Sequence, residues 1–444
     1  MKDLTKGRPS VLILTFALPI FLANLLQLTY SLADTRIVGT FLGDNALAAV
    51  GATTTLSNLI VQFLMGMCNG FAIISAQCFG AKDMDRLRRS LGNSLVLGLL
   101  AAVVLTFGGL VFLQPILRFL NVPENLLHTA TQYVSVIIAG LVVTLLYDVL
   151  SATLRAIGDT VTPLIVLAVS VVLNIGGDLL LIVVLHIGVL GAAVATVLSQ
   201  LIAVVVCAVY LWKKYEILRI RVDDMKLQDA GMLRNMLSSG LSMGFMSSLV
   251  NIGTLTLQTS INKLGQNIII AHTAARKISE IFMIMFSVFG QTMATYCGQN
   301  LGAGEITRIK KGVHASSFLA FLTSAFISIV MFLFGKTLLS MFISGDPEQT
   351  SQVLAIAWHY LSIMASCLCI LYFLYVYRSA LQGLGNTMIP MLSGVVEFFV
   401  RVGVALLLPK LIGQNGIFYA EIAAWTGAAV LLMISYYINI RKFA

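Results

Sequence analysis

The chain has 444 residues, 58% of them hydrophobic and 11% charged, with a mean hydropathy of +0.94; soluble globular chains hold about 45–50% apolar and about 25% charged residues, so an ordinary soluble domain is excluded. Apolar stretches of about 20 residues recur throughout and suit helices crossing a ~30 Å hydrocarbon core, whereas barrel strands are about 10 residues long and alternate. The net charge of +9 calls for no nucleic acid, because cytosolic loops facing an anionic leaflet account for it.

The opening "MKDLTKGRPS" is basic and runs into an apolar segment too long for a signal-peptide core, with no small-x-small cleavage site after it. It reads as a cytosolic tail entering a retained first span. Twelve spans follow: 11–39, 46–76, 90–113, 128–154, 163–185, 189–212, 236–262, 268–296, 312–342, 353–377, 389–409 and 416–439. Of the 28 Lys and Arg residues, twenty fall in the N-tail, the loops near 82–89, 155, 213–234, 308–311 and 378, or the C-tail, which lie on one side when the span count is even. Both termini are therefore expected in the cytosol, and the protein in a bacterial-type inner membrane.

The chain also repeats itself. "QCFGAKDMDRLRRS" (Gln77 to Ser90) aligns with "QNLGAGEITRIKKG" (Gln299 to Gly312) at an offset of 222, and "AIGDTVTP" (Ala156 to Pro163) with "GLGNTMIP" (Gly383 to Pro390) at 227. The fold class expected is an all-α polytopic membrane protein of two six-span lobes, 1–222 and 223–444, joined by the hydrophilic segment Lys213 to Asn235. Equivalent loops are basic in both lobes, so the lobes share orientation.

Several chemistries are missing. No G-x-x-x-x-G-K-[ST] loop is present, no zinc-protease helix motif appears, and the five histidines are scattered. Direct nucleotide hydrolysis and membrane enzymology are unsupported, which leaves transport driven by a gradient, with no cofactor. In the first span Asn24, Gln27, Ser31 and Asp34 are spaced to share one helix face. Ser247, Asn251, Thr254 and Gln258 make a similar but uncharged stripe in the seventh. Such stripes face either a cavity or neighbouring helices with which they bond.

Asp34 stands out, because an ionised carboxylate at mid-membrane carries a penalty of about 2.5–3.5 kcal/mol on insertion scales. Asn174 and Asp178 lie one turn apart in the fifth span, with Asp178 ~22 Å along it from Pro163; Thr196 lies ~12 Å inward from Gly188 in the sixth. Two carboxylates, an amide and a hydroxyl at one depth suit a proton or Na⁺, since oxygen ligands fit a hard cation and a buried carboxyl beside a second one can take a proton. Glu397 and Arg401, one turn apart in the eleventh span, form an acid–base pair that is either structural or substrate-contacting; Arg276 and Glu280 repeat the spacing and are read as structural. Asp148 and Glu421, near span ends, carry no assigned role beyond solvation or local bonds.

The stretches "ADTRIVGTFLGDNALAAVG", "QCFGAKD" with "QNLGAGE", "LRAIGDTVTP" with "LQGLGNTMIP", "LNIGGDLLL" and "GVLGAAVAT" resemble the multidrug and toxic compound extrusion (MATE) family of secondary transporters over essentially the whole chain, closest to its DinF-like and archaeal branch. The resemblance implies two six-helix lobes around a V-shaped central cavity, and antiport of amphipathic organic cations against H⁺ or Na⁺ by alternating access, by a monomer in the lipid bilayer. It assigns the coupling site to Asp34, Asn174, Asp178 and Thr196, and a bend in the first helix to Pro19. No acidic residue stands in the seventh span, where another branch places a second site. The alternative reading is a flippase for a lipid-linked saccharide or similar lipid.

Overall fold

The computed structural model describes residues 2–120, 122–343 and 347–443, and its regular structure is helical throughout. Within lipid every backbone N–H and C=O must be satisfied inside its own segment, and helices do this for apolar runs of this length. In chain order the helices are α1 (Pro9–Leu42), α2 (Asp44–Gly80), α3 (Met84–Val111), α4 (Leu113–Phe119), α5 (Glu124–Ala139), α6 (Leu141–Ala156) and α7 (Val161–Asp178). After them come α8 (Val189–Lys214), α9 (Ala230–Ile261), α10 (Gln266–Gly302), α11 (Ile306–Ser340), α12 (Pro347–Gly383), α13 (Met388–Ile412) and α14 (Ala420–Arg441). Among the described residues eleven helical runs are long and apolar enough to span, and α5 with α6 makes a twelfth, bent by 44°.

The bend falls at Gly140, where a Cβ would lie 2.5 Å from a methyl of Val197 on α8. Only glycine leaves room for that side chain, and it also breaks the helix cheaply. The fifth span is continued by a π-helical stretch, Leu179–Val184, directly after Asp178. Many helices outrun the spans read from the sequence. One consequence is a correction: Arg378, expected in a cytosolic loop, is part of α12 and only 2% exposed.

The repeat is realised atom by atom at the turns. Ala81 N–H bonds Gln77 O at 2.9 Å and Asp83 N–H bonds Cys78 O at 3.1 Å; 222 residues on, Ala303 bonds Gln299 O at 3.0 Å and Glu305 bonds Asn300 O at 2.8 Å. The second pair matches as closely: Asp159 N–H reaches Leu154 O at 2.9 Å and Asn386 N–H reaches Leu381 O at 3.0 Å. In both, an acidic or amide oxygen then caps the next helix, Asp159 Oδ1 accepting from Thr162 N–H at 3.0 Å and Asn386 Oδ1 from Ile389 N–H at 3.3 Å.

Packing divides the chain into two compact units, Met1–Asp3 with Leu18–Gly244, and Leu4–Ala17 with Phe245–Ala444. Each lobe's first helix therefore changes unit along its length, α1 between Ala17 and Leu18 and α9 between Gly244 and Phe245. Pro19 sits inside α1 one residue beyond that crossing, where its missing N–H removes a rung of the helix. The first unit is held by a continuous apolar core running from Leu64 and Phe71 of α2 through Leu87 and Leu91 of α3 to Leu145 and Leu154 of α6. Residues such as Phe107 and Val104 on α3 are instead largely exposed, as a lipid-facing surface requires.

At the foot of α7, Asp159 is buried and accepts from Thr162 Oγ1 and from Tyr215 Oη, each at 2.7 Å. Burial alone would push its carboxyl up, but the hydrogen bonds from Thr162 and Tyr215, with Lys214 nearby, outweigh it and hold the group below the ordinary carboxylate value. A depressed carboxyl contributes stability above its unfolded pKa of about 3.9 and loses it as pH falls through the folded value. Asp159→Asn should therefore lower the thermal midpoint at neutral pH, by about 1–2 kcal/mol of stability. The gap from wild type should close toward about pH 3; a gap independent of pH would show that the charge at Asp159 does nothing.

Candidate functional site

The polar groups of α1, α7 and α8 meet in the first unit. Asp178 and Asn174 are 0% and 1% exposed, and the Asp34 and Asp178 carboxyl groups lie within hydrogen-bonding reach of each other. With the Asn174 amide turned so that both ends are satisfied, Nδ2 donates to Asp178 Oδ2 at 3.1 Å and Oδ1 accepts from Thr196 N–H at 3.2 Å. Thr196 Oγ1 donates to Ala192 O at 3.1 Å, which leaves Tyr30 as the donor in the 3.1 Å contact between the two hydroxyls. One oxygen of each carboxyl group, Oδ1 of Asp34 and Oδ1 of Asp178, is buried with no conventional donor. Two acceptor-only groups in this position are satisfied by one shared proton.

Local sequence explains the construction. Asn174 and Asp178 are four apart on α7 and share a face; Tyr30 and Asp34 do the same on α1. Above the group, Val38, Ala46, Ile182, Val189 and Ala192 form a small apolar cluster with Tyr133 packed on it. Tyr133, on α5, lies within electrostatic range of Asp34, Tyr30 and Asp178. Sequence reasoning picked out neither tyrosine. Tyr30 carried a signal, its place one turn before Asp34; Tyr133 carried none.

The other polar residues of α1 stand outside this group: Asn24 is half-buried, and Gln27 and Ser31 are exposed. On α9 the stripe bonds to its own helix. Asn251 Nδ2 donates to Ser247 O at 2.9 Å, Thr254 Oγ1 to Val250 O at 3.1 Å, and Gln258 Nε2 to Asn262 Oδ1 at 2.9 Å. These bonds satisfy the donors without any neighbouring helix.

In the second unit, Glu397 and Arg401 of α13 are both 2% exposed and 3.6 Å apart. The closer partner of Glu397 is Arg378 of α12, which also donates to Ser393 Oγ at 2.9 Å. Glu421 departs from the sequence reading too. It is 3% exposed and ion-paired with Arg276, and Tyr360 Oη donates to its second oxygen at 3.4 Å. Glu421 does stand near a span end, as the second residue of α14, but it is buried there against Arg276 of α10 and Tyr360 of α12. Arg276 also keeps its expected partner Glu280 at 3.2 Å.

This architecture has relatives. The MatE family model matches residues 19–180 and 242–407, one match in each half of the chain. The chain belongs to this family, whose members are membrane transporters and not enzymes. It is 29% identical to "Probable multidrug resistance protein YoeA" of Bacillus subtilis over 76% of this chain and 75% of that protein. It is 26% identical to "Probable multidrug resistance protein YpnP" of the same organism over 94% and 92%. Among solved structures, a MATE protein in the bent conformation superposes with a TM-score of 0.91 at 21% identity, covering 99% of this chain and 97% of that one.

Proposed function

We propose that the protein exports amphipathic organic cations from the cytosol, driven by protons that enter through Asp34 and Asp178. It works as a monomer in a bacterial inner membrane, with both termini in the cytosol. The observation that carries this reading is the pair of carboxyl groups on different helices, one bearing on α1 and the other on α7, within reach of a single shared proton. Protonation removes the repulsion between two anions and changes how α1 rests on α7. An ion shifts a conformational equilibrium only by its differential affinity for the two states, and a proton bound at such a contact has one. Pro19, beside the point where α1 changes unit, gives that helix a place to bend.

The carboxyl pair supports H⁺ as the coupling ion: Asp34 Oδ1 and Asp178 Oδ1 are both buried without a donor, a gap that one proton fills. Just inward of Tyr30, an apolar groove of about 720 Å³ opens between α1 and α7, lined by Leu22, Leu25, Leu26, Leu164, Val169 and Leu173. It suits the apolar body of an amphipathic cation whose charge lies toward Asp34. The names of the relatives point the same way.

Dye efflux from proteoliposomes under separately imposed pH and Na⁺ gradients tests the reading. A pH gradient should drive ethidium transport in wild type and not in Asp178→Asn. Transport driven by Na⁺ alone would overturn the assignment of the ion, and movement of a labelled lipid but no dye would make the protein a flippase.

A further inference from the structure

The proton pair lies deep in the first unit. Asp178 closes the 18-residue α7, so it stands ~25 Å from the other end of that helix. A proton bound there still has to reach the cytosol.

A line of polar side chains leads that way. Tyr30 Oη meets Thr196 Oγ1 at 3.1 Å. Gln200 follows Thr196 by one turn of α8, and its Oε1 accepts from Thr144 Oγ1 of α6 at 2.8 Å. Asp148 follows Thr144 by one turn, and Arg155 stands two turns beyond Asp148, in the last turn of α6. The ends of α6 and α8 come together where Tyr215 bonds Asp159, so each step descends toward one face. Thr196, Gln200, Thr144, Asp148 and Arg155 are all half-buried, neither sealed in the core nor fully exposed.

Hydrogen bonding between helices accounts for Thr144 and Gln200. It does not account for Asp148, whose Oδ2 is buried with no partner. Facing this carboxyl group are Tyr147 and Arg155 of its own helix and Cys68 of α2. Arg155 donates instead to Asn69 Oδ1 of α2 at 3.4 Å. The scaffold does not require the carboxylate either: at the offset of 227 the second unit has Tyr375 for Asp148, Leu371 for Thr144 and Gln382 for Arg155. Ionisable residues inside a bilayer either pair with one another or line the path of a moving charge.

We propose that Asp148 is an inner proton station, which takes the proton bound by Asp34 and Asp178 along Thr196, Gln200 and Thr144 and passes it to the cytosol past Arg155. This rests on the proton-coupled reading and adds the route by which the pair is reset. One proton leaves the pair, and Asp148 is protonated and then restored. A water can span each one-turn step, since both of its ends are polar.

The test is ethidium transport by proteoliposomes under an imposed pH gradient, beside ethidium binding to the full chain in nanodiscs. Asp148→Asn should slow gradient-driven transport by about a hundredfold, the low end for losing a positioned proton-transfer group. Ethidium affinity should not change. Asp148→Glu keeps a carboxyl group and should recover most of the rate; a packing role would forbid this, because an extra methylene disturbs packing more than an isosteric amide does. Thr144→Val, of the same shape, should slow transport several-fold with binding intact. A wild type that ignores the pH gradient would overturn the proton-coupled reading and the station with it. A responsive wild type with Asp148→Asn equally fast, or Asp148→Glu no faster than Asp148→Asn, would overturn the station alone. Asp148→Asn weakening ethidium binding as much as it slows transport would make Asp148 a substrate ligand and overturn the station too.

Discussion

Asp34→Asn is expected to abolish drug resistance in an efflux-deficient bacterium while leaving the level of membrane-inserted protein unchanged. Asparagine keeps the size of the side chain and its ability to bond Asp178, so packing of α1 on α7 survives. What goes is the second carboxyl, and with it the shared proton whose binding is to differ between the two conformations. Asp178 would then be held by Asn174 and by the introduced amide as a simple buried acceptor. The expected loss is the whole of the gradient-driven signal and not a fraction of it, because one group of a coupled pair has no partial substitute. Resistance at wild-type levels would remove Asp34 from the coupling machinery.

The second large effect concerns folding. Glu397→Gln is expected to cost roughly 3–5 kcal/mol of stability, the range for breaking a buried ion pair from one side. It leaves two interior guanidinium groups, Arg378 and Arg401, facing each other's charge with no carboxylate between them. Arg378→Met should cost clearly less, because Glu397 then keeps Arg401 as a partner at 3.6 Å. Thermal midpoints of the two variants, purified in one detergent, check the asymmetry. Equal losses would show that the cluster acts through packing alone.

Much of the first unit's site was legible because a hydrocarbon core allows few excuses for a polar side chain. Asp34, Asn174, Asp178 and Thr196 could be placed at one depth from helix rise alone. The turns repeated at offsets of 222 and 227 were legible for a similar reason, since glycine and capping residues are bound to backbone geometry. What stayed hidden needed tertiary distance. Glu397 was paired by sequence with Arg401, four residues on, whereas its nearer partner is Arg378 on another helix. Arg378 was itself misplaced because α12 runs on to Gly383, and the window that locates apolar spans stops where the apolar residues stop. Glu421 was placed correctly near a span end, but its ion pair with Arg276 needed tertiary distance too. Tyr133 was invisible because a lone tyrosine in an apolar span has no charged residue one turn away to mark its face.

The divergence between the lobes also has a physical reading. The turns keep their symmetry because the same backbone hydrogen bonds recur at both offsets and hold the chain to one geometry. The interior positions are free to differ: at offsets of 222 and 227, Thr256 and Ala405 stand where the first unit has Asp34 and Asp178, and Arg401 where it has Asn174.

The central claim is that a proton shared by Asp34 and Asp178 is exchanged for substrate. It is tested most directly by counting protons released when ethidium binds to the purified protein in a weakly buffered solution. The expected result is release of close to one proton per bound dye in wild type, and none in Asp34→Asn or Asp178→Asn. Dye binding with no proton release in wild type, or the same release in the two variants, would contradict it.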